Sequence, residues 1–262
     1  MIKTLKDVQN SIDDRDIEIQ KVGVKNVEIP LTVQRKNSDN QIVSAKAQLS
    51  VALPKKYKGT HMSRFIEILT DWESKGLGID IKGCLMEILN KLNAQKAEVK
   101  FSFKYFLQKT APVSKKTSLM GYDCSFKGSY KINGNYKFVL GVKIPVTTLC
   151  PCSKAISDFG AHNQRAIISV QVTYDENDMV WIEDLIEDIE KCGSCPVYPL
   201  LKRADEKYVT ETAYKNPKFV EDVLRDVVLQ LRKNKSITGF EVEIEAMESI
   251  HNHTAWAYQA EG

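Results

Sequence analysis

The sequence predicts an α+β fold in which antiparallel sheets carry paired helices on one face. Stretches with alternating apolar and polar residues, which are typical of half-buried strands, flank two pairs of stretches with apolar residues at helical spacing. The order strand-strand-helix-helix-strand-strand occurs twice, although the two halves share no visible sequence similarity. Runs of strands around paired helices indicate sheets that are covered by helices on one side.

We expect two modules, residues 1–132 and 133–262, one for each repeat of this order. A length of 262 residues suits either one large domain or two of ordinary size. Asn133 and Gly134 form a dipeptide that favours tight hairpin turns, and they open the second repeat.

In the first half, two helices lie between two pairs of strands. Phe65 and Leu69 have helical spacing, and Gly76 and Gly78 mark the break before the second helix. Apolar residues alternate with mostly polar ones over 99–107, as in a half-buried strand. The predicted elements are strands at 22–34 and 42–53, helices at 61–74 and 79–93, and strands at 99–107 and 119–130, the last two joined by a polar loop at 109–118.

The second half repeats this order. Leu185 and Ile189 lie on one face of the first predicted helix, and Val223 and Val227 on one face of the second. The predicted elements are strands at 138–148 and 166–174, helices around 182–189 and 220–231, and strands at 240–246 and 256–258.

Composition excludes several classes of protein. The hydrophobic fraction of 43% and the charged fraction of 27% are typical of soluble globular proteins. The net charge of +3 and the scattered basic residues argue against a nucleic-acid partner. We see no signal peptide and no apolar run near the ~20 residues of a membrane helix, so we expect a cytoplasmic protein without membrane contact. In that compartment the six cysteines are thiols, ligands or nucleophiles rather than disulfides.

The densest group of reactive side chains lies in the middle of the chain, where Cys150, Cys152, Lys154, His162 and Arg165 occur within sixteen residues. Pro151 lacks an N–H group, so we expect the Cys-Pro-Cys stretch to be a turn at the end of a strand and not the continuation of a helix. The two cysteines could simply be small buried hydrophobes. Alternatively, a thiolate and an imidazole could share a metal ion such as zinc, beside cations that hold an anion.

A second cysteine pair leaves another interpretation open. Cys192 and Cys195 could join Cys150 and Cys152 in a closed four-cysteine zinc site. The Cys-x-Cys spacing of the first pair is unusual for such sites. A redox-active pair is less favoured, because Cys195 is followed by Pro196 and does not begin a helix.

Two further clusters, 202–207 and 248–253, are candidate parts of a site. We interpret 202–207 as a charged loop that is either a solvated surface or a source of a carboxylate ligand and phosphate-binding cations. Glu248 continues the apolar register of the strand at 240–246, so we expect it to be half-buried with a partner. His251 and His253 point to the same side if the chain stays extended and could act as acid–base groups.

The segment 58–64 is basic and precedes a helix, and it includes His61 and Arg64. The free N–H groups at a helix start can bind anions. The same segment could also be no more than a capped helix start.

Together these residues resemble GTP cyclohydrolase of type IB, the alternative family of the folate pathway. The matching segments follow the family's order over nearly the whole chain, and the pair CPCSK and AHNQR is highly specific. The segments are KGTHMSRF at 58–65, TLCPCSK at 148–154, AHNQR at 161–165, CPVYPLLKR at 195–203, DEKYVTE at 205–211 and ESIHNH at 248–253.

The resemblance implies two tandem tunnelling-fold modules and a homotetramer whose active sites lie at subunit interfaces. It implies that GTP and water give 7,8-dihydroneopterin triphosphate and formate, with one divalent metal per site, either Zn²⁺ or Mn²⁺ and possibly Fe²⁺. Cys150 and His162 match metal ligands, and Glu206 matches the carboxylate ligand. Cys152, His251 and His253 fall in the active site.

Tunnelling-fold enzymes hold the amide edge of a purine on a glutamate, and we favour Glu221 over Glu248 for this role. The ion would lower the pKa of a water that attacks C8 of guanine, while His251 or His253 protonates a ring nitrogen. Five cations are candidates for binding the triphosphate, namely Lys154, Arg165, Lys202, Arg203 and Arg64. His61 is a further candidate for binding the substrate.

Three other interpretations compete with this one. An archaeal type of GTP cyclohydrolase would give a cyclic phosphate product. A relative that forms or reduces nitriles would use a cysteine nucleophile without a metal. A zinc-stabilised binding module would have no chemistry at all, and chelation would unfold it.

Overall fold

The computed structural model describes residues 7–9, 11–74, 80–175 and 178–262. The expected break at Gly76 and Gly78 lies outside these residues. In chain order the elements are β1 (Ile19–Val33), β2 (Gln41–Leu53), α1 (Met62–Ser74), α2 (Ile81–Leu92), β3 (Lys96–Thr110), β4 (Thr117–Lys131), β5 (Tyr136–Leu149), α3 (Pro151–Ile156), β6 (Asn163–Tyr174), α4 (Ile182–Glu190), β7 (Cys195–Pro196), α5 (Arg203–Lys215), α6 (Val220–Lys233), β8 (Ile237–Met247) and β9 (Thr254–Glu261).

The chain divides into two compact units. The first unit contains 1–34, 39–103 and 125–138, and the second contains 35–38, 104–124 and 139–262. The long strands β3 and β4 each contribute residues to both units. The module boundary between residues 132 and 133, which rests on the repeated order of elements, stays a prediction.

The first unit has an antiparallel sheet that is packed against α1 and α2. β2 pairs with β1 on one side and with β3 on the other. Every second residue of β2 from Val43 to Val51 is buried, which gives the sheet one apolar face. The ring of Trp72 on α1 stacks on Phe101 of β3 with centroids 5.5 Å apart.

The second unit has the strand order β5-β6-β8-β9, and the short β7 pairs with the other edge of β5. The buried face of β8 carries Phe240, Val242, Ile244 and Ala246, with glutamates between them. α4 and α6 contribute the buried residues that complete this core, namely Leu185, Ile186, Ile189, Val223, Val227 and Leu231.

The predicted α+β architecture is confirmed, with paired helices and antiparallel strands in the predicted order. None of the helices in the described ranges is long and apolar enough to cross a membrane. The second unit also contains three elements that were not predicted, namely α3, β7 and α5, and two of them overturn specific expectations.

The Cys-Pro-Cys stretch begins a helix, so its prediction as a turn was wrong. Cys150 is the N-cap of α3 and Pro151 occupies the first helical position. The N–H groups of the first turn have no partner within a helix, so proline is well tolerated there. The missing N–H group is therefore compatible with this helix start, and the fixed φ of proline favours it.

The charged segment 202–207 was predicted to be a loop, and this was also wrong. α5 begins at Arg203 and continues to Lys215. Its few buried residues, Asp205 and Ala213, give no clear apolar stripe, so the helical spacing was not visible in the sequence.

Candidate active site

Cys150 and His162 lie opposite each other where β5 and β6 end. The antiparallel ladder extends to the pair Leu149 and Asn163, and one position further the Cys150 N–H donates to the His162 carbonyl at 3.1 Å. Residues that are directly opposite in such a ladder have Cβ atoms about 4.5–5.5 Å apart. Cys150 and His162, which are twelve residues apart in the chain, are therefore direct neighbours across the two strands.

The imidazole of His162 is oriented by a hydrogen-bond network. Gln164 Nε2 donates to Glu248 Oε1 at 3.3 Å and to Thr148 Oγ1 at 3.0 Å, which directs Gln164 Oε1 toward His162 Nδ1 at 3.0 Å. Because Oε1 can only accept, Nδ1 carries the proton and Nε2 is the nitrogen that can bind a metal. Metal-binding histidines are usually held in this way through their second nitrogen.

Glu248 has the burial that its strand register predicted. Its side chain is 14% exposed, and one carboxylate oxygen accepts from Gln164 while the other lies 3.9 Å from His162 Nδ1. The prediction that Glu248 is half-buried and has a partner is confirmed.

Cys150 and Cys152 are the cysteines accessible to solvent or to a ligand. Cys150 is partly buried, and its Sγ accepts from the N–H of Ser153 at 3.4 Å, whereas Cys152 is exposed. On the same helix, Lys154 Nζ donates to the carbonyl of Tyr214 at 2.5 Å and lies 4.4 Å from the centre of its ring. Lys154, which was predicted to contact the triphosphate, therefore binds the last turn of α5 in the structure.

The four-cysteine zinc site does not form. Cys192 and Cys195 are buried, and burial raises the pKa of Cys192 to about 11 and that of Cys195 in the same direction. Within the described ranges, no group of three or more His, Cys, Asp or Glu side chains is arranged to hold a metal ion. The structure thus brings Cys150 and His162 together but does not add the Glu206 carboxylate to them.

Glu206 is exposed in the first turn of α5. Val209 and Ala213, which follow at three and seven positions, share its helix face. They pack in a small cluster with Leu149, Ala161 and Cys195. Leu149 and Ala161 directly precede Cys150 and His162, so the face of α5 that carries Glu206 is the one that packs beside the two predicted ligands.

Asp205, the residue before Glu206, is fully buried. Its role was not predicted from the sequence. One oxygen accepts from the N–H groups of Val113 and Ser114, both at 2.8 Å. The other accepts from the Ser114 hydroxyl at 2.6 Å and from the Lys202 N–H at 2.8 Å. Burial alone would raise the pKa of this carboxyl, but these hydrogen bonds hold it well below its usual range.

The other candidates in the second unit lie at the surface. Arg165 is at the start of β6, Lys202 and Arg203 are at the start of α5, and Glu221 is in the first turn of α6. The chain bends between β8 and β9 instead of staying extended. His251 and His253 are exposed there, with their rings stacked at a centroid distance of 4.9 Å, so they do share one side.

In the first unit, His61 and Arg64 line a cavity of about 190 Å³ beside the start of α1. Arg64 donates to the carbonyl of Lys91 at 3.1 Å, and His61 Nε2 lies 3.3 Å from an oxygen of Asp7. Both candidates therefore have neighbours within their own unit.

Sequence reasoning missed the residues that hold the candidate ligands, among them Gln164, Ser194, Ser114 and Asp205. Gln164 is part of the segment AHNQR, which drew attention for its histidine and arginine. The signal available for Asp205 was its place three residues after Lys202 at a helix start, where a carboxylate caps the backbone.

The fold is similar to that of solved uricases. The uricase from Arthrobacter globiformis superposes with a TM-score of 0.58 at 6% identity, with 92% of each chain covered. The uricase from Bacillus fastidious gives 0.55 at 9% identity and covers 93% of this chain and 92% of the other. At these identities the likeness shows the fold alone, and it defines the chain as a tandem tunnelling-fold protein, as the resemblance implied.

Sequence comparison gives the family. The model of the type I GTP cyclohydrolase folE2 family matches residues 5–257. A GTP cyclohydrolase FolE2 of Geotalea uraniireducens is 51% identical over 253 residues, 97% of this chain and 92% of that one. The FolE2 of Citrifermentans bemidjiense is 50% identical over 254 residues, 97% of this chain and 94% of that one. The chain belongs to the type I GTP cyclohydrolase folE2 family, an enzyme family.

The hydrogen bonds to Asp205 predict how stability depends on pH. Because its folded pKa lies below the usual 3.8, the unfolded state binds more protons at low pH. The stabilisation is therefore complete above pH ~4.5 and is lost progressively as pH falls through the usual carboxyl pKa and below it. Urea midpoints of the wild type and of Asp205→Asn should differ by a constant gap from pH 7 to about pH 4.5, and the gap should narrow below.

Asp158→Asn, which changes an exposed carboxylate, is the control. Its urea midpoint should show no comparable difference from that of the wild type. A gap for Asp205→Asn that widens on acidification would contradict this assignment.

Proposed function

We propose that the chain converts GTP and water to 7,8-dihydroneopterin triphosphate and formate, the first step of folate biosynthesis. The observation that carries this proposal is the Cys150–His162 pair at the end of β5 and β6, in a chain of the GTP cyclohydrolase family. Both residues lie in the segments CPCSK and AHNQR. A cytoplasmic location fits this role.

We propose Cys150, His162 and Glu206 as ligands of one divalent ion, either Zn²⁺ or Mn²⁺ and possibly Fe²⁺. The thiolate and the imidazole are adjacent, and a mixed sulfur, nitrogen and oxygen set suits both zinc and harder ions. A bound ion of this kind acidifies water and so supplies the nucleophile for hydrolysis at C8 of guanine. Glu206 is proposed to complete the set from the face of α5 that packs beside the pair.

His251 and His253 are proposed to move protons during ring opening. Their stacked rings are exposed in the bend after β8, a few residues beyond Glu248 and its network. An imidazole can give and take protons near neutral pH, which protonation of a ring nitrogen requires. Cys152 is proposed as a further thiol in the active site, next to the ligand Cys150.

Glu221 is proposed as the anchor of guanine, through hydrogen bonds from N1–H and the 2-amino group. Its carboxylate is exposed at the start of α6. Glu248, the other candidate, already accepts from Gln164 and lies near His162, which favours a role in orienting the imidazole.

The triphosphate is proposed to bind to exposed cations near the pair, among them Arg165, Lys202 and Arg203, with Lys154 released from Tyr214. His61 and Arg64 of the first unit are proposed to contact it from another subunit. A homotetramer with sites at subunit interfaces would allow this. In the described residues, β9 pairs with β8 alone, so its outer edge is available to another chain.

Activity with added metal tests the proposal directly. Purified protein incubated with GTP and Mn²⁺ or Zn²⁺ should release formate and give a fluorescent pterin after oxidation. Cys150→Ala should lose at least ~10³-fold in turnover and bind metal weakly, because a ligand is missing. Cys192→Ala, which removes a buried thiol outside the ligand set, should keep turnover.

Full turnover by Cys150→Ala would show that the metal assignment is wrong. Product mass separates dihydroneopterin triphosphate from a cyclic phosphate. No product with any metal would exclude the enzyme activity.

A matched pair of variants tests the guanine anchor. Glu221→Gln should reduce kcat/KM for GTP by ~100-fold or more, since the amide turns an N–H toward the N–H groups of guanine and leaves donors unpaired. Its metal content should stay normal. Glu248→Gln should affect metal content more than recognition of guanine. If instead Glu248→Gln lowered kcat/KM for GTP and Glu221→Gln lowered the metal content, the two roles would be exchanged.

A further inference from the structure

The segment that joins α4 to α5, residues 191–202, is held at both ends and near its middle. We call it the connector. Its only regular structure is the two-residue β7, yet Cys192, Ser194 and Cys195 are buried. Buried backbone outside helices and sheets must find other hydrogen-bond partners. In this chain the partners lie next to the candidate metal ligands.

At its first end, the connector binds the last residues of β5. Ser194 Oγ accepts from the N–H of Leu149 at 3.1 Å, and the Ser194 N–H donates to the Thr147 carbonyl at 2.8 Å. Gly193 allows this approach, because a Cβ atom there would lie only 2.6 Å from Cβ of Val146. Leu149 immediately precedes Cys150.

The remaining polar groups at this point are also paired. The carbonyl of Leu149 accepts from the N–H of Lys218 at 3.0 Å. Asn216 Nδ2 donates to the carbonyls of Gly193 and Ser194 at 3.1 and 3.2 Å. Three hydrogen bonds therefore fix the backbone next to the Cys150 thiol, and the one from the Leu149 N–H is made to Ser194.

In the middle, the connector packs on a buried ion pair. Lys109 Nζ lies 2.6 Å from Glu190 Oε1 and 4.7 Å from the centre of the Tyr198 ring. The hydroxyl of Tyr122 donates to the same carboxylate oxygen at 2.6 Å. An ammonium over an aromatic face is an attractive contact, so Tyr198 is held on the sheet.

At its other end, the connector leads into α5 through Asp205. The buried carboxylate binds the N–H of Lys202, the last residue of the connector, and three donors of the β3–β4 loop, at Val113 and Ser114. Glu206 follows directly, and its N–H bonds to the Lys202 carbonyl at 2.9 Å. The start of the helix that carries Glu206 is therefore fixed to the β3–β4 loop.

We propose that the connector sets the distance between Cys150 and Glu206, with Ser194 and Asp205 as positioning residues, one for each ligand. The inference rests on the proposed metal ligands. Neither residue contacts the ion. Each fixes the backbone next to a proposed ligand before the ion binds.

The test measures metal affinity of the intact protein with Co²⁺ and with Zn²⁺ in chelator competition. Ser194→Ala removes the hydroxyl that binds Leu149, and Ser114→Ala removes one donor from Asp205 while its backbone donors remain. Thr173→Ala is the matched control, because it removes a hydroxyl that binds the carbonyl of Gly239 at 3.1 Å at the far end of β6. The absorption of the Co²⁺ complex reports the thiolate bond.

We expect Ser194→Ala to weaken metal binding by ~10–100-fold and to reduce the thiolate-to-Co²⁺ absorption, as loss of a supporting residue does at other metal sites. Ser114→Ala should cause a smaller loss without loss of the thiolate band. Thr173→Ala should lower the thermal midpoint but leave affinity unchanged.

Two results would overturn the inference. In the first, the wild type binds Co²⁺ through a thiolate, and Ser194→Ala and Ser114→Ala bind it equally well. If the thermal midpoints of these two variants also fall like that of the control, the connector is only structural. If the wild type shows no thiolate-bound Co²⁺, the proposed ligand set fails and the inference fails with it.

Discussion

The antiparallel pairing of β5 with β6 is the constraint on which the site depends. The ladder extends from Leu140 and Val172 to Leu149 and Asn163, and the bond from the Cys150 N–H to the His162 carbonyl ends it. A slip by one residue would place the thiol and the imidazole on opposite faces of the sheet. The buried alternation along both strands prevents such a slip, so the hydrophobic core of the second unit also determines which reactive side chains meet.

Around this pair, the partly buried Gln164 and the buried Ser194 keep the reactive groups in place and leave them accessible. Gln164 fixes the imidazole through Nδ1 and Ser194 fixes the end of β5. The remaining cysteines are buried, and burial raises their pKa, to about 12 for Cys84 and Cys124, so they do not compete as thiolate ligands. Burial therefore leaves Cys150 and Cys152 as the thiols that could form thiolate ligands, which favours the proposed metal role of Cys150.

The fold could be predicted well, because helix and strand periodicity are strong in elements with one buried face, such as α6 and β8. α5 lacks a clear apolar stripe and was taken for a loop, and Pro151 was read as a turn residue when it begins α3. In the site, the pattern of cysteine and histidine indicated two residues that the structure brings together, and the register predicted the burial of Glu248. Ser194 and Asp205 could not be found, since their partners at Leu149 and Ser114 are 45 and 91 residues away in the chain.

The central claim is that Cys150 and His162 bind one catalytic ion together. X-ray absorption spectroscopy of the zinc-loaded protein tests it most directly, because sulfur and nitrogen or oxygen neighbours scatter differently. We expect one sulfur at ~2.3 Å and nitrogen or oxygen donors at ~2.0–2.2 Å, with imidazole scattering that disappears in His162→Ala. A shell without sulfur, or one of four sulfurs, would contradict the account.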